Sequence, residues 1–126
     1  MVMDWNELYE LAKSKRGSRA LSKHSEAGSV AAAILSEQGH VYCGVCIDTP
    51  CSMGFCAEHA AIAAMVTAGE NRILRMVAVG ANDRVIPPCG RCREFICQVH
   101  DDNYRCEVLL DGGRVSTIGD LLPERW

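Results

Sequence analysis

Two short stretches hold the residues best equipped for chemistry: "FCAEHAAIAA" at 55–64 and "PPCGRCRE" at 87–94. Cys56 opens an alanine-rich run with strong helix propensity, and Cys89 and Cys92 open a second helical pattern just after Pro87 and Pro88. At a helix N-terminus the unpaired N–H groups and the dipole favour negative charge, which lowers a thiol's pKa and makes thiolate available. Positions i and i+3 share a helix face, so Cys89 and Cys92 can grip one ion, and Cys56 can supply a third ligand from the other helix. Three protein ligands leave one tetrahedral position open, the layout of a catalytic zinc, and zinc brings the pKa of a bound water down to about 7. Such a site needs a proton carrier. Glu58 stands two residues after Cys56, near the metal and not required as a ligand.

Other readings of these cysteines are open. Cys43 and Cys46 form another C-x-x-C, which raises a structural four-cysteine zinc with Cys89 and Cys92. The interval between the pairs is far longer than the ~15–20 residues of a zinc ribbon, and i and i+3 on a strand point to opposite faces. A redox role for "CGRC" is also possible in principle, but redox sites of that kind follow an early strand in a βαβ pattern, and this motif comes late and partnered with "CAE". Cys97 and Cys106 read as core residues and Cys51 as a loop thiol. His24, His40 and His100 have no metal-ligand spacing.

Composition narrows the class. The chain has 126 residues and eight cysteines, and 48% of it is hydrophobic. That suffices for one domain, 1–126, with one core. No apolar run approaches the ~20 residues of a membrane span. The opening "MVMDWNELYE" lacks the layout of a signal peptide, so the sequence predicts a cytoplasmic protein with reduced thiols. The net charge of −3 argues against a nucleic-acid partner.

The elements that must position the motifs follow from periodicity. Residues 4–15 predict a helix, with Asp4 capping, Glu7 closing the box, and Trp5, Leu8, Leu11 and Ala12 on one face. Residues 29–36 and 40–48 predict a strand hairpin. A helix over 56–68 ends at Gly69, a strand covers "MVAVGA", "NDRVIPP" is loop, and a helix starts at Cys89. "CEVLL" is a strand, "DGG" a turn, and "STIGDLLP" a short helix capped by Ser116 or Thr117. Helices alternating with strands predict an α/β layered domain with a mixed sheet.

"CAE" at 56–58 with "PCGRC" at 88–92 resembles the zinc-dependent cytidine deaminase family, and the likeness extends to "SVAAAILSEQGHVYCG" at 29–44 and "LLPERW" at 121–126. The all-cysteine site and small size are most similar to the homotetrameric cytidine deaminases and the blasticidin S deaminases. The resemblance implies a three-layer α-β-α fold with a mixed central sheet. It implies a hydrolase that holds zinc on Cys56, Cys89 and Cys92 and converts cytidine or deoxycytidine to the uracil nucleoside and ammonia. A cytosine nucleoside antibiotic is the alternative substrate, and a non-catalytic zinc module the remote one. Glu58 would shuttle protons to the ring nitrogen and the departing amine. Backbone groups near Ala57 and the carbonyl of Pro87 would meet the ring's polar edge. Trp126 would close over the pyrimidine, within a homotetramer whose chains complete one another's sites.

The family pattern breaks at the sugar. Cys46 stands where asparagine is expected, Asp48 where glutamate is, and Gly28 near the place of an expected phenylalanine. Charge counting adds one more candidate. Three thiolates on Zn²⁺ leave a net −1, which blunts the metal's acidity, and a guanidinium at Arg91 close to the sulfurs would offset it. His59 could add to this or be an ordinary surface histidine.

Overall fold

The computed structural model describes residues 3–126. Helix α1 (Trp5–Lys15) starts where Asp4 accepts a hydrogen bond from the Glu7 N–H at 2.8 Å. Strands β1 (Arg19–Ala20), β2 (Glu26–Ser36) and β3 (Val41–Asp48) follow, then α2 (Ala57–Thr67) and β4 (Ile73–Val79). Strand β5 (Val85–Ile86), α3 (Gly90–Val99), β6 (Glu107–Leu109), β7 (Val115–Thr117) and α4 (Ile118–Leu121) complete the chain. Thr117 caps α4 by accepting from the Asp120 N–H at 3.1 Å. No helix among the described residues is long and apolar enough to cross a membrane.

The sheet runs in the order β3-β2-β4-β6-β7, with β1 added beside β2 and β5 beside β4. Only β4 and β6 pair in parallel, so the sheet is mixed, as the alternation of elements predicts. Residues 31–36 of β2 are all buried, because helices cover both faces of the sheet. Side chains alternate accordingly. Ala33, Val77 and Val79 meet Leu8 and Ala12 of α1, whereas Ile34 and Met76 meet Ile62 and Met65 of α2 and Ile96 of α3. The result is the expected α-β-α layering.

The hairpin strand begins at residue 26, not 29, because the pairing of β2 with β3 shifts register between Ala27 and Ala31. Gly28 sits in this irregularity at φ 89 with its carbonyl accepting from the Gly17 N–H at 2.8 Å, and a Cβ there would collide with the Gly17 carbonyl oxygen. No side chain fits at residue 28, near the place where the family resemblance leads one to expect a phenylalanine. Strands β1 and β5 lie where loops are expected from sequence, and β7 takes in Ser116 and Thr117 at the expected start of the last helix; two or three residues are too few to display an alternating pattern.

Two buried polar groups tie the layers together away from the cysteines. Asn103 is fully buried; its carbonyl accepts from the Ile73 N–H at 2.9 Å and its amide donates to Asn71 and Ile96 carbonyls at 3.0 Å each. Glu70, also buried, accepts from the Tyr42 hydroxyl at 2.6 Å and pairs with His40 Nδ1 at 2.8 Å. The Tyr42 bond, with help from Ser36 and His40, holds the Glu70 carboxyl down at about 2.

The contact that matters most for the site is between β3 and α2. A Cβ at Gly44 would collide with the Ala61 backbone nitrogen and stand 2.6 Å from Ala60 Cβ and 2.7 Å from the Ala57 carbonyl oxygen. The helix can lie this close only because residue 44 lacks a side chain. Gly44→Ala must push α2 off the sheet. Overpacking of this kind costs about 1–3 kcal/mol. The expected outcome is a melting temperature lower by several degrees and weaker metal retention, read by calorimetry and by metal content after dialysis. A variant with wild-type Tm would show that the helix shifts freely.

Candidate active site

Cys56 and Cys89 are the N-cap residues of α2 and α3, and Cys92 lies in the first turn of α3. Neither cap residue uses its side chain to cap, so both sulfurs are free to turn toward each other. Cys56 Sγ lies 3.5 Å from Cys89 Sγ, and Cys89 Sγ lies 3.5 Å from Cys92 Sγ. All three sulfurs fall within 4.8 Å of one another. Sulfurs at about 2.3 Å from one tetrahedral zinc stand ~3.8 Å apart, so the triad fits a single such ion.

The thiols' own acidities add to that fit. Burial raises the Cys92 thiol far above its usual range, and the charge of Glu58 and the neighbouring sulfurs raise it further. Burial also raises Cys56. Burial pushes Cys89 up too, but the backbone N–H groups of Cys92 and Arg91 and the other two sulfurs outweigh it and leave this thiol below its ordinary value. Cys89 is the one thiol of the three shifted toward ionisation, and a cation among the sulfurs would favour a full thiolate set.

Glu58 is 4% exposed, and burial raises its carboxyl, offset in part by its own backbone N–H. His59 is not an idle surface histidine. Its Nδ1 is 3.4 Å from Cys92 Sγ, and its ring stacks on Phe95 at 4.4 Å with planes 4° apart. Burial and the charge of Arg91 lower its pKa, which disfavours the imidazolium. Arg91 is exposed and lines the cavity; among the described residues its guanidinium makes no hydrogen bond, and its contribution to the sulfurs comes through its backbone N–H.

Sequence reasoning missed Arg93. It donates to the Pro88 carbonyl at 2.8 Å and to the Leu121 carbonyl at 2.9 Å, and so ties the loop before Cys89 to the end of α4. Nothing in its local pattern marks it, because both partners are backbone groups fixed by tertiary structure.

A cavity of about 450 Å³ opens between the ends of β2 and β3 and the starts of α2 and α3; Cys46, Asp48, Ala57, Glu58, Pro87 and Cys89 all line it. Four of the five expected substrate-binding residues are therefore brought together. Ser29 joins them, unforeseen, with its hydroxyl 3.2 Å from Cys46 Sγ; that sulfur also accepts from the Val30 N–H at 3.4 Å. Trp126 is elsewhere. It is 98% exposed, its N–H donates to Glu94 Oε1 at 3.2 Å, and it lines a separate groove with Cys97, Gln98 and Asp101. Cys43 packs with Leu8 and Ala12 on the α1 side of the sheet, while Cys46 packs with Ala57 on the other. These two sulfurs cannot share an ion, which removes the four-cysteine site.

Known proteins agree with this geometry. The family described as the cytidine and deoxycytidylate deaminase zinc-binding region matches residues 3–107. A cytidine deaminase of Mycobacterium tuberculosis is 32% identical over 124 residues, covering 97% of this chain and 89% of that protein. A blasticidin-S deaminase of Bacillus cereus is 32% identical over 109 residues, covering 77% of this chain and 76% of that one. The crystal structure of the Mycobacterium tuberculosis cytidine deaminase superposes with a TM-score of 0.82 at 28% identity over 98% of each chain. That of the Mycobacterium leprae cytidine deaminase gives 0.80 at 25% identity over 97% of this chain and 99% of the other. On the sulfur triad, the layered mixed sheet and these likenesses together, the chain belongs to the cytidine and deoxycytidylate deaminase family and is a hydrolytic deaminase.

Proposed function

We propose that this enzyme deaminates the cytosine ring of a free nucleoside, with zinc held by Cys56, Cys89 and Cys92 and protons carried by Glu58. The observation that carries the reading is the convergence of three sulfurs at two helix N-termini beside a buried carboxylate in one cavity. Zinc in that place supplies a Lewis acid and water made acidic enough to attack at neutral pH. The rest is the work of the chain. Glu58, desolvated and raised in pKa, takes one proton from the attacking water to ring N3 and carries the water's second proton to the departing amine. The Ala57 backbone at the start of α2 meets the ring's polar edge, and the Pro87 carbonyl accepts from the exocyclic amine. The neutral His59 beside Cys92, together with the backbone N–H of Arg91, tempers the sulfurs' negative charge.

The reading extends to assembly and setting. Trp126 lies outside its own chain's cavity, so its stacking role requires a neighbouring subunit, and we place the enzyme as a homotetramer. All eight cysteines are free, and an all-thiol site suits a reducing cytoplasm. A second substrate reading, a nucleoside antibiotic of the blasticidin S kind, is favoured by Cys46 and Asp48 in the cavity and by the likeness to a protein named for that activity. Ammonia release from cytidine, deoxycytidine and blasticidin S, measured side by side, decides between them.

Glu58→Gln keeps size and hydrogen bonding but cannot shuttle a proton. Turnover is expected to fall by at least 10²–10⁴-fold with zinc content unchanged; near-normal turnover would exclude the assigned role.

Alanine at Cys56, Cys89 or Cys92 is expected to abolish both zinc and activity, whereas Cys43→Ala retains both. Elemental analysis of the purified variants reads this directly, and zinc loss from Cys43→Ala would sink the assignment.

Deleting Trp126 is expected to raise KM by the factor that corresponds to losing ~1–3 kcal/mol of ring stacking, with zinc content and Tm preserved. Unchanged KM and kcat for every accepted nucleoside would rule the stacking role out.

A further inference from the structure

The segment that leads into Cys89 has few means of being held. It leaves β5 at Ile86 and reaches the start of α3 through Pro87 and Pro88. Neither proline has a backbone N–H, so hydrogen bonds can fix the pair only through its carbonyls. Among the described residues no turn, loop or cap bond of the backbone uses either carbonyl. Among them, too, the one side-chain hydrogen bond to the pair comes from Arg93, whose Nε donates to the Pro88 oxygen at 2.8 Å.

Arg93 stands where a helix least favours a cation. It lies at the N-terminal end of α3, near the positive pole of the dipole, and the first turn has no acidic residue. Among the described residues no carboxylate forms an ion pair with it. Local preference therefore does not account for a guanidinium here, and breaches of local preference gather at functional positions. The second bond shows what the guanidinium does. Nη1 donates to the Leu121 carbonyl at 2.9 Å, at the end of α4. Ile118 of α4 is fully buried in the core, and Leu121 packs against that core. The planar fork thus ties the proline pair to a fixed point of the fold.

The consequence runs through covalent geometry. The Pro88 carbonyl shares one rigid plane with the nitrogen and Cα of Cys89, so holding the oxygen orients Cys89. The ring of Pro88 locks its φ, so a single soft dihedral separates that plane from the one that carries the Pro87 carbonyl. Pro87 and Cys89 line the reaction cavity, and Arg93 stands outside its wall. We infer that Arg93 is a positioning residue of the deamination: acting through the Pro88 carbonyl, it aims the Cys89 sulfur at the metal and the Pro87 carbonyl at the amine that leaves the ring. This rests on the deaminase reading and adds to it a residue outside the cavity. The amine gains a proton as it departs, so its bond to the Pro87 carbonyl strengthens in the transition state. Misplacing that carbonyl therefore falls on kcat more than on KM.

The test compares the zinc-loaded wild type with Arg93→Met, which keeps an unbranched stem and no donor, and with Arg93→Lys, which keeps the charge without the fork. Ammonia release is followed with cytidine, deoxycytidine and blasticidin S. Per zinc-loaded enzyme, Arg93→Met is expected to lose roughly 10- to 100-fold in kcat, with KM changed by less than about threefold. Arg93→Lys should recover part of kcat. Zinc release to a chelator, which needs no turnover, should be several-fold faster in Arg93→Met than in wild type and intermediate in Arg93→Lys. Should Arg93→Met fail to fold, Arg93→Lys and Arg93→Gln decide the matter by the same two readouts against wild type. A lowered Tm with wild-type kcat and zinc release, a loss confined to KM, or a lysine variant no better than methionine would overturn the inference and leave the deaminase reading intact. Absence of ammonia from all three nucleosides with the wild type would overturn both.

Discussion

For three sulfurs to share one ion, two helix N-termini must arrive at the same point from different parts of the chain. This convergence is the constraint on which the rest of the structure depends. Helix α2 is seated by the bare backbone of Gly44, which lets it approach β3 more closely than any side chain would allow. Helix α3 is seated from the other end. Asn103, fully buried, joins the Ile96 carbonyl to the start of β4, and Arg93 anchors the Pro88 loop to α4. Each helix is therefore fixed by contacts that do not use its cysteine side chains. The cysteines can occupy cap positions, where backbone N–H groups favour thiolate, without themselves having to hold the helices in place.

The convergence of Cys56, Cys89 and Cys92 was legible because its information is local. "CAE" and "PCGRC" each carry spacing, residue type and a helix start within a few residues. The layered fold was legible for the same reason, since Leu8 and Ala12, or Ile34 with Met76, advertise their faces through period. What the sequence hid is what depends on register and packing. The β2 irregularity at Gly28 breaks the alternation that would have revealed residues 26–28 as strand. His59 looks like any polar residue on an alanine-rich helix until Phe95 of α3 comes beneath its ring and Cys92 beside its nitrogen. Ser29, which lines the cavity, lies within the same irregular stretch of β2.

The missing phenylalanine shows how one local constraint reaches function. At φ 89, with the Gly17 carbonyl where a Cβ would stand, residue 28 has no choice but glycine. The aromatic surface expected there is absent, and small polar groups occupy the neighbourhood in its place: the Ser29 hydroxyl, the Cys46 sulfur and the Asp48 carboxylate, linked in sequence by contacts of 3.2 and 3.7 Å. This chain of groups is weakly hydrogen-bonded by its own partners. A thiol is a poor donor, so Asp48 keeps most of its accepting capacity for something else.

The site thus divides along the sheet. The chemistry stands on the buried starts of α2 and α3, where Glu58 and Cys92 are almost out of water and any displacement is resisted by close packing. The rim of the cavity lies at the exposed end of β3, where Asp48 faces solvent. Substitution at a strand end leaves the helix seats untouched, because the residues that fix them, Gly44, Arg93 and Asn103, lie in other contacts. Glu58 and Cys92 thus stand on a tightly packed floor, and Asp48 on an exposed rim.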